Sequence, residues 1–151
     1  MKLKEDRLIG GAFSGVIAAF IQAGWGYVLK GLKLTDRAFV DFSKTFFMYK
    51  NYSGLYSEII GILIHLAFGA VLGVGFAYLI KLTSSRFYYL KGFGYGVFLW
   101  LFLGATGTAF GIPLFRNIPP YAVLSTLTGG LLFGFVNAFV LKFLEKKTNL
   151  I

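Results

Sequence analysis

The chain has 151 residues, a net charge of +9 and no cysteine; 57% of its residues are hydrophobic and only 14% are charged. A soluble domain carries about 25% charged residues, so this composition, with a mean hydropathy of +0.73, is typical of an integral membrane protein. The missing cysteines exclude disulfides, thiol catalysis and thiolate metal sites.

Charged residues fall into short clusters, and four long apolar runs lie between the clusters. A helix needs about 20 apolar residues to cross a bilayer. We therefore predict one all-α, polytopic membrane domain over 1–151, a compact bundle with transmembrane helices at about 8–29, 56–82, 89–110 and 120–144. The first run exceeds the roughly 7–15 apolar residues of a cleavable signal peptide, so we interpret it as a retained span.

The connection between the first two spans is long enough to hold a helix of its own. Phe39, Phe42, Phe46 and Tyr49 recur there at helical spacing, and the charged residues between them fall on other faces of such a helix. We predict an amphipathic interfacial helix over about 36–50. It either simply covers the end of the bundle or forms a lid or a partner-binding surface.

Lysine and arginine are distributed unequally between the two sides of the predicted membrane. With four spans, both termini and the second loop share one side, which has nine of these residues against six on the other. Cytoplasmic segments carry the excess of positive charge, so we predict a multi-pass protein of the cell membrane with both termini in the cytoplasm. The flanking cations make membrane lipids the expected partners. Nucleic acid is not expected, because there is no basic soluble module.

Small residues recur at four-residue spacing in every predicted span. This spacing places them on one helix face and lets backbones approach closely, within the chain, across a homo-oligomer or in a larger membrane complex. The glycines predicted to form these packing faces are Gly11, Gly15, Gly69, Gly73, Gly92, Gly96, Gly130 and Gly134.

Two pairs of segments share a sequence pattern. The pattern of 69–81 recurs in 130–142, and that of 11–16 recurs in 92–97. Two copies of a helical hairpin in the same orientation would explain both matches. Chance is the alternative explanation, because glycine-rich apolar helices commonly resemble one another.

Few strongly polar side chains fall inside the spans, and such residues are functional candidates because burying them is costly. The candidates for an intramembrane polar site are Gln22, Glu58, His65 and Asn137. Each also has a structural interpretation. Glu58 lies in the opening turn of its helix, where a carboxylate is favoured, and the others would bond to neighbouring helices. Arg116 would contact a lipid headgroup or keep its loop in water.

The chain lacks the residue patterns of common catalytic sites. It has no Gly-rich phosphate loop, no Ser/His/Asp set and no pair of catalytic carboxylates. His65 is the only histidine, which is too few for paired haem ligands or for a zinc site. We therefore expect neither enzymatic activity nor a cofactor nor a bound metal.

The segment from Ile64 to Gly73 has the pattern HLxxGxxxG. It resembles the second helix of small four-helix integral membrane proteins of bacteria and archaea whose function is unknown. The opening of the third span at Leu90 to Gly92 and its end at Gly111 to Pro113 are similar to the same group. That group also has a histidine on its fourth helix, where this chain has Thr126. The resemblance implies a four-helix fold and no established activity.

Three classes of function remain open from the sequence. The first is a non-enzymatic structural or accessory membrane component. The second is a small transporter or proton-linked channel, which a continuous polar cavity joining the intramembrane polar residues would favour. The third is a lipid-binding protein or a membrane-embedded enzyme, which a groove open sideways to lipid would favour.

Overall fold

The computed structural model describes residues 6–50 and 52–148, and these residues form five helices and no strand. The helices are α1 Arg7–Gly31, α2 Phe39–Met48, α3 Leu55–Thr83, α4 Tyr88–Ala109 and α5 Pro120–Thr148. All except α2 are long and apolar enough to cross a membrane. The predicted all-α, multi-pass membrane fold with four spans is confirmed. Lys2 and Lys4, which contribute to the predicted orientation, lie outside the described residues.

α2 is shorter than the predicted helix over 36–50 because both of its ends are fixed locally. At its start, Asp41 Oδ2 accepts the backbone N–H of Ala38 at 2.8 Å, which closes the first turn. At its end, Tyr49 adopts a left-handed conformation with φ 55°, which stops the helix.

α1 and α5 lie side by side at the centre of the bundle, with α3 packed on α1 and α4 packed on α5. Side-chain hydrogen bonds join the two central helices along their length. Ser14 Oγ donates to Asn137 Oδ1 at 2.6 Å, Gln22 Nε2 to the Gly129 carbonyl at 3.0 Å, and Trp25 Nε1 to Thr128 Oγ1 at 3.1 Å. We call this contact between α1 and α5 the closed seam.

α1 crosses α3 where both helices carry glycine. A Cβ added to Gly15 would overlap the carbonyl of Gly69 and would lie 2.8 Å from the Cα of Gly73. A Cβ added to Gly11 would lie 2.7 Å from the Cα of Val74. Backbone therefore meets backbone at this crossing, and no side chain fits between the helices.

The crossing of α1 and α3 recurs between α4 and α5. A Cβ added to Gly96 would overlap the carbonyl of Gly130, just as a Cβ added to Gly15 would overlap the carbonyl of Gly69. Gly96 follows Gly15 by 81 residues, and Gly130 follows Gly69 by 61 residues. These are the offsets of the repeated sequence patterns. The two hairpins, α1 with α3 and α4 with α5, are thus built alike at their crossings, and α2 is inserted in the first.

α3 and α4 form the second seam between the hairpins, and it is open along much of its length. The two helices contact each other where Tyr95 Oη donates to the Leu72 carbonyl at 2.7 Å. The Tyr95 ring also packs on Phe76, with centroids 5.3 Å apart. Away from this contact the helices diverge, and α2 lies across the far end of the gap. We call this contact the open seam.

α2 turns its polar face towards the protein. Asp41, Lys44 and Thr45 are at most 3% exposed, whereas Phe47 is 71% exposed. An interfacial helix ordinarily keeps its charged face in water. Here α1 and α3 supply opposite charges to the charged residues of α2, which makes their burial tolerable.

Candidate functional site

A cavity of about 400 Å³ lies between the two hairpins, in the space left by the divergence of α3 and α4. Phe39, Phe42 and Phe46 of α2 form part of its wall, together with Phe68 and Leu72 of α3. Ligand pockets in proteins typically measure about 300–1,000 Å³ and are mostly apolar. The cavity therefore has the size and the chemistry of a binding site.

Aromatic contacts lie at two ends of the open seam. At one end lies the ring contact between α3 and α4. At the other end, Phe42 packs edge-on against Phe115 with centroids 4.9 Å apart, and Phe46 packs edge-on against Phe68 at 5.7 Å. α2 thus lies across this end of the open seam.

The cavity reaches the lateral surface of the protein between α3 and α4. Leu101 and Ala105 of α4 line the cavity and are also exposed on the outside, Leu101 by 56%. A Cβ added to Gly104, beside them, would meet no atom within 4 Å. α4 is long and apolar enough to cross a membrane, so this opening lies on the side of a candidate membrane span.

His65 lies in the cavity wall with both ring nitrogens engaged. Nε2 lies 3.2 Å from the carbonyl oxygen of Ala19. This oxygen can only accept, so Nε2 carries a proton. In the neutral imidazole Nδ1 is then an acceptor, and Ser43 Oγ of α2 lies 3.3 Å from it. The ring therefore links α3 to both α1 and α2.

Gln22 lies one helical turn after Ala19, in the same wall. Its Nε2 donates to the Gly129 carbonyl of α5 at 3.0 Å, which fixes the orientation of the amide. Within the described residues no hydrogen bond engages its Oε1. Gln22 therefore keeps a free acceptor and the second N–H of its amide at a residue that lines the cavity.

A network of charged residues lies on the other face of α2, beside the cavity. Lys44 Nζ is 2.9 Å from Asp41 Oδ1 and 2.5 Å from Glu58 Oε1. Lys30 Nζ is 2.8 Å from Asp41 Oδ2, and Tyr27 Oη donates to Glu58 Oε2 at 2.8 Å. This ionic network ties α2 to both helices of the first hairpin.

The hydrogen bonds and opposite charges in the ionic network outweigh the cost of burying the charged groups of α2. Burial alone raises the pKa of Asp41, but the Ala38 N–H and two lysine ammonium groups hold that pKa below its ordinary value of 3.8. Burial likewise opposes the charge of Lys44, but Asp41 and Glu58 hold the Lys44 pKa above its ordinary value of 10.5. Both groups are therefore charged at neutral pH.

The four intramembrane polar candidates of the sequence do not form one site. Gln22 and His65 line the cavity, whereas Glu58 and Asn137 do not. The aliphatic stem of Lys44 packs on α3 between Glu58 and His65. Across the described part of the chain, no run of hydrogen-bonded polar groups joins the four residues.

Asn137 lies in the closed seam and is fully buried. Its Oδ1 accepts from Ser14, while its Nδ2 has no partner among the described residues. Turning the amide over would let Nδ2 donate to Ser14 Oγ, which could then donate to the Gly11 carbonyl 2.9 Å away. In either orientation Asn137 holds the two hairpins together.

Arg116 is exposed on the loop between α4 and α5, near the α2 end of the cavity. Its guanidinium packs over Gly111, and no acidic side chain of residues 6–50 or 52–148 pairs with it. The neighbouring Phe115 lines the cavity. Contact of Arg116 with a lipid headgroup stays a prediction.

The sequence interpretation missed the ionic network and part of the cavity wall. Asp41 and Lys44 stand three residues apart, a spacing at which opposite charges pair along a helix. That spacing was the available signal for the network. Ser43 and Gly104 gave no comparable signal, because a serine on an amphipathic helix and a glycine in a span are both common.

Comparison with family models, with curated proteins and with solved structures finds no match to this chain. Among the described residues no group of three or more His, Cys, Asp or Glu side chains could hold a metal ion. The cavity and its polar side chains are therefore the basis for a functional conclusion.

Proposed function

We propose that the protein is a non-enzymatic membrane component that binds an apolar molecule of the bilayer in the cavity between its hairpins. One observation carries this proposal. The hairpins pack tightly along the closed seam and leave about 400 Å³ of aromatic-lined space along the open seam. Closing that space would gain dispersion energy, so a purely structural bundle would be expected to close it.

The geometry of the cavity favours a ligand from the lipid phase over one from water. With α4 as a membrane span, the lateral opening beside Gly104 would lead to hydrocarbon, whereas α2 lies across the end of the open seam. An apolar molecule already dissolved in the bilayer can enter without crossing a polar layer. Membrane lipids are therefore the proposed source of the ligand.

The two other classes of function have less support. Ion or proton transport needs connected polar groups, and the intramembrane polar residues are paired separately instead. Catalysis needs a set of reactive groups, and none is evident in the cavity wall. Kinship with the small four-helix proteins of unknown function stays a prediction, as does assembly into a homo-oligomer or a larger complex.

Filling the cavity should weaken binding without disturbing the fold. Gly104 lines the cavity, and Gly104→Leu places a side chain where an added Cβ meets no atom within 4 Å. Photolysis of a long-chain aliphatic diazirine in liposomes should label the wild-type protein on Phe39–Phe46 and Leu99–Ala105. We expect about tenfold less labelling of these segments in Gly104→Leu, the effect of roughly 1–3 kcal/mol of steric exclusion.

Gly94→Leu is the matched control for this experiment. Gly94 lies on the same helix, and a Cβ added there also meets no atom within 4 Å, but Gly94 does not line the cavity. Labelling of the cavity segments should match wild type in this variant. Equal labelling of the two leucine variants would mean that the probe reacts with the outer surface, and the proposed function would be wrong.

The proposed orientation places both termini and the loop before Lys91 in the cytoplasm. The excess of nine lysines and arginines over six supports it. Reporter fusions at the C-terminus and near Lys91 should both report cytoplasm, and a fusion within 36–50 should report the outside. A C-terminal reporter found outside would contradict this orientation.

A further inference from the structure

The cavity wall carries no formal charge. None of its lining residues is Asp, Glu, Lys or Arg, although Lys44 directly follows the lining residue Ser43 in the sequence. Lys44 is turned away and held by Asp41 and Glu58. Moving an ionised group from water into an apolar site without a counter-charge is very costly. The part of a ligand that enters this cavity must therefore be uncharged.

Most hydrogen-bond donors of the cavity wall already have acceptors within the protein. His65 Nε2 bonds to the Ala19 carbonyl. Trp100 Nε1 donates to Thr126 Oγ1 at 3.1 Å, and the Thr126 hydroxyl donates in turn to a carbonyl of the preceding turn. These groups fix the wall and leave little hydrogen-bonding capacity for a ligand.

Gln22 is the exception. Beyond its bond to the Gly129 carbonyl, its amide makes no hydrogen bond with the described residues, so one N–H and Oε1 remain available. A hydroxyl both donates and accepts, and it is uncharged. An ether or an ester carbonyl accepts only, and a carboxylate is excluded by its charge. Among these four polar ends of a lipid chain, the hydroxyl is therefore the one that fits.

We propose that the cavity takes an uncharged, hydroxyl-ended amphipath, with its hydroxyl on the Gln22 amide and its apolar chain along the aromatic face of α2. This inference rests on the proposed function and names the polar end of the ligand. The chain leaves through the lateral opening between α3 and α4. The ligand class is that of long-chain alcohols.

Competition against the aliphatic diazirine tests the inference with ligands of one chain length. Dodecanol, dodecane, dodecyl methyl ether and dodecanoate are compared at about pH 8, where a carboxylic acid is ionised. Dodecanol should compete about tenfold better than dodecane, the ratio expected for one good neutral hydrogen bond. The ether, which cannot donate, should compete like dodecane, and dodecanoate should be the weakest.

Measurements on Gln22→Met test whether the Gln22 amide causes the preference for dodecanol over dodecane. Methionine is close to glutamine in length and shape but lacks both polar groups, so the ratio between dodecanol and dodecane should fall to about one. If this variant is too unstable to purify, the comparison of alcohol and ether on wild type still decides the case.

Each remaining outcome has a distinct meaning. Dodecanoate as the best competitor, or an ether as good as the alcohol, would overturn the hydroxyl assignment and leave a cavity that binds apolar molecules. An alcohol no better than dodecane would do the same. Failure of all four compounds, with equal labelling of Gly104→Leu and Gly94→Leu, would instead overturn the proposed function itself.

Discussion

Replacing Gly15 with alanine is expected to destabilise the protein by about 1–3 kcal/mol, although the change adds only one methyl group. The new Cβ would overlap the Gly69 carbonyl and would lie 2.8 Å from the Cα of Gly73. Both obstacles are backbone atoms of α3, so no rotamer change relieves the clash. The helices must separate, and the loss should appear as a lower Tm in detergent.

Gly24→Ala on the same helix is the matched control and should have the opposite sign. A Cβ added to Gly24 meets no atom within 4 Å, and alanine in a helix interior is favoured over glycine by roughly 1 kcal/mol. The second hairpin offers the same comparison, with Gly96→Ala expected to destabilise and Gly94→Ala to be neutral or stabilising. A Gly15→Ala protein as stable as Gly24→Ala would mean that α1 and α3 do not approach so closely.

The spans and their glycines show how far the sequence could predict this fold. Hydropathy predicted the four spans, and the four-residue spacing of small residues predicted a packing face on each, because both are local properties of a helix. The four-residue spacing alone did not predict that α1 would pair with α3 and α4 with α5; only the explanation of the repeated patterns as two hairpin copies suggested that pairing. All four spans carry the same spacing, so the pattern does not specify the partner of any helix.

The cavity was beyond prediction for a related reason. The offsets of the repeat place Tyr95 at the position of Ser14 and Phe76 at that of Asn137. Ser14 and Asn137 join the closed seam through a short hydrogen bond, whereas Tyr95 and Phe76 meet as two rings in the open seam. Large rings at equivalent positions keep α3 and α4 further apart than a serine and an asparagine keep α1 and α5.

The candidate polar site shows the same limit. Hydropathy predicted that four polar residues lie within the membrane spans, and this made them candidates for one intramembrane polar site: Gln22, Glu58, His65 and Asn137. Depth does not give direction around the helix axis, and the four side chains point to separate partners. Glu58 is bound by Lys44 of α2, and Asn137 by Ser14. Only Gln22 and His65 of the four reach the cavity.

Lys44→Met is expected to lower the free energy of unfolding by about 3–5 kcal/mol, the usual loss when one member of a buried ion pair is removed. The Lys44 side chain is 2% exposed and bridges Asp41 and Glu58, while Lys30 also pairs with Asp41. Methionine would fill the space of the stem but would leave Asp41 with Lys30 alone and Glu58 without an ammonium partner. Lys50→Met, at an exposed position just after α2, should change stability by at most ~0.5 kcal/mol.

The pH dependence of this loss of stability distinguishes the contribution of the Lys44 ion pairs from that of the packing of its aliphatic stem. Lys44 has a raised pKa, so its contribution is complete below its ordinary value of 10.5 and disappears as pH rises through the raised value. Asp41 has a lowered pKa, so its contribution is complete above 3.8 and disappears as pH falls through the lowered value. The difference in Tm between wild type and Lys44→Met should therefore be largest between these limits and shrink beyond both. A difference that stays constant across the whole range would show that Lys44 acts through the packing of its stem, and the ionic network would not be what holds α2 over the cavity.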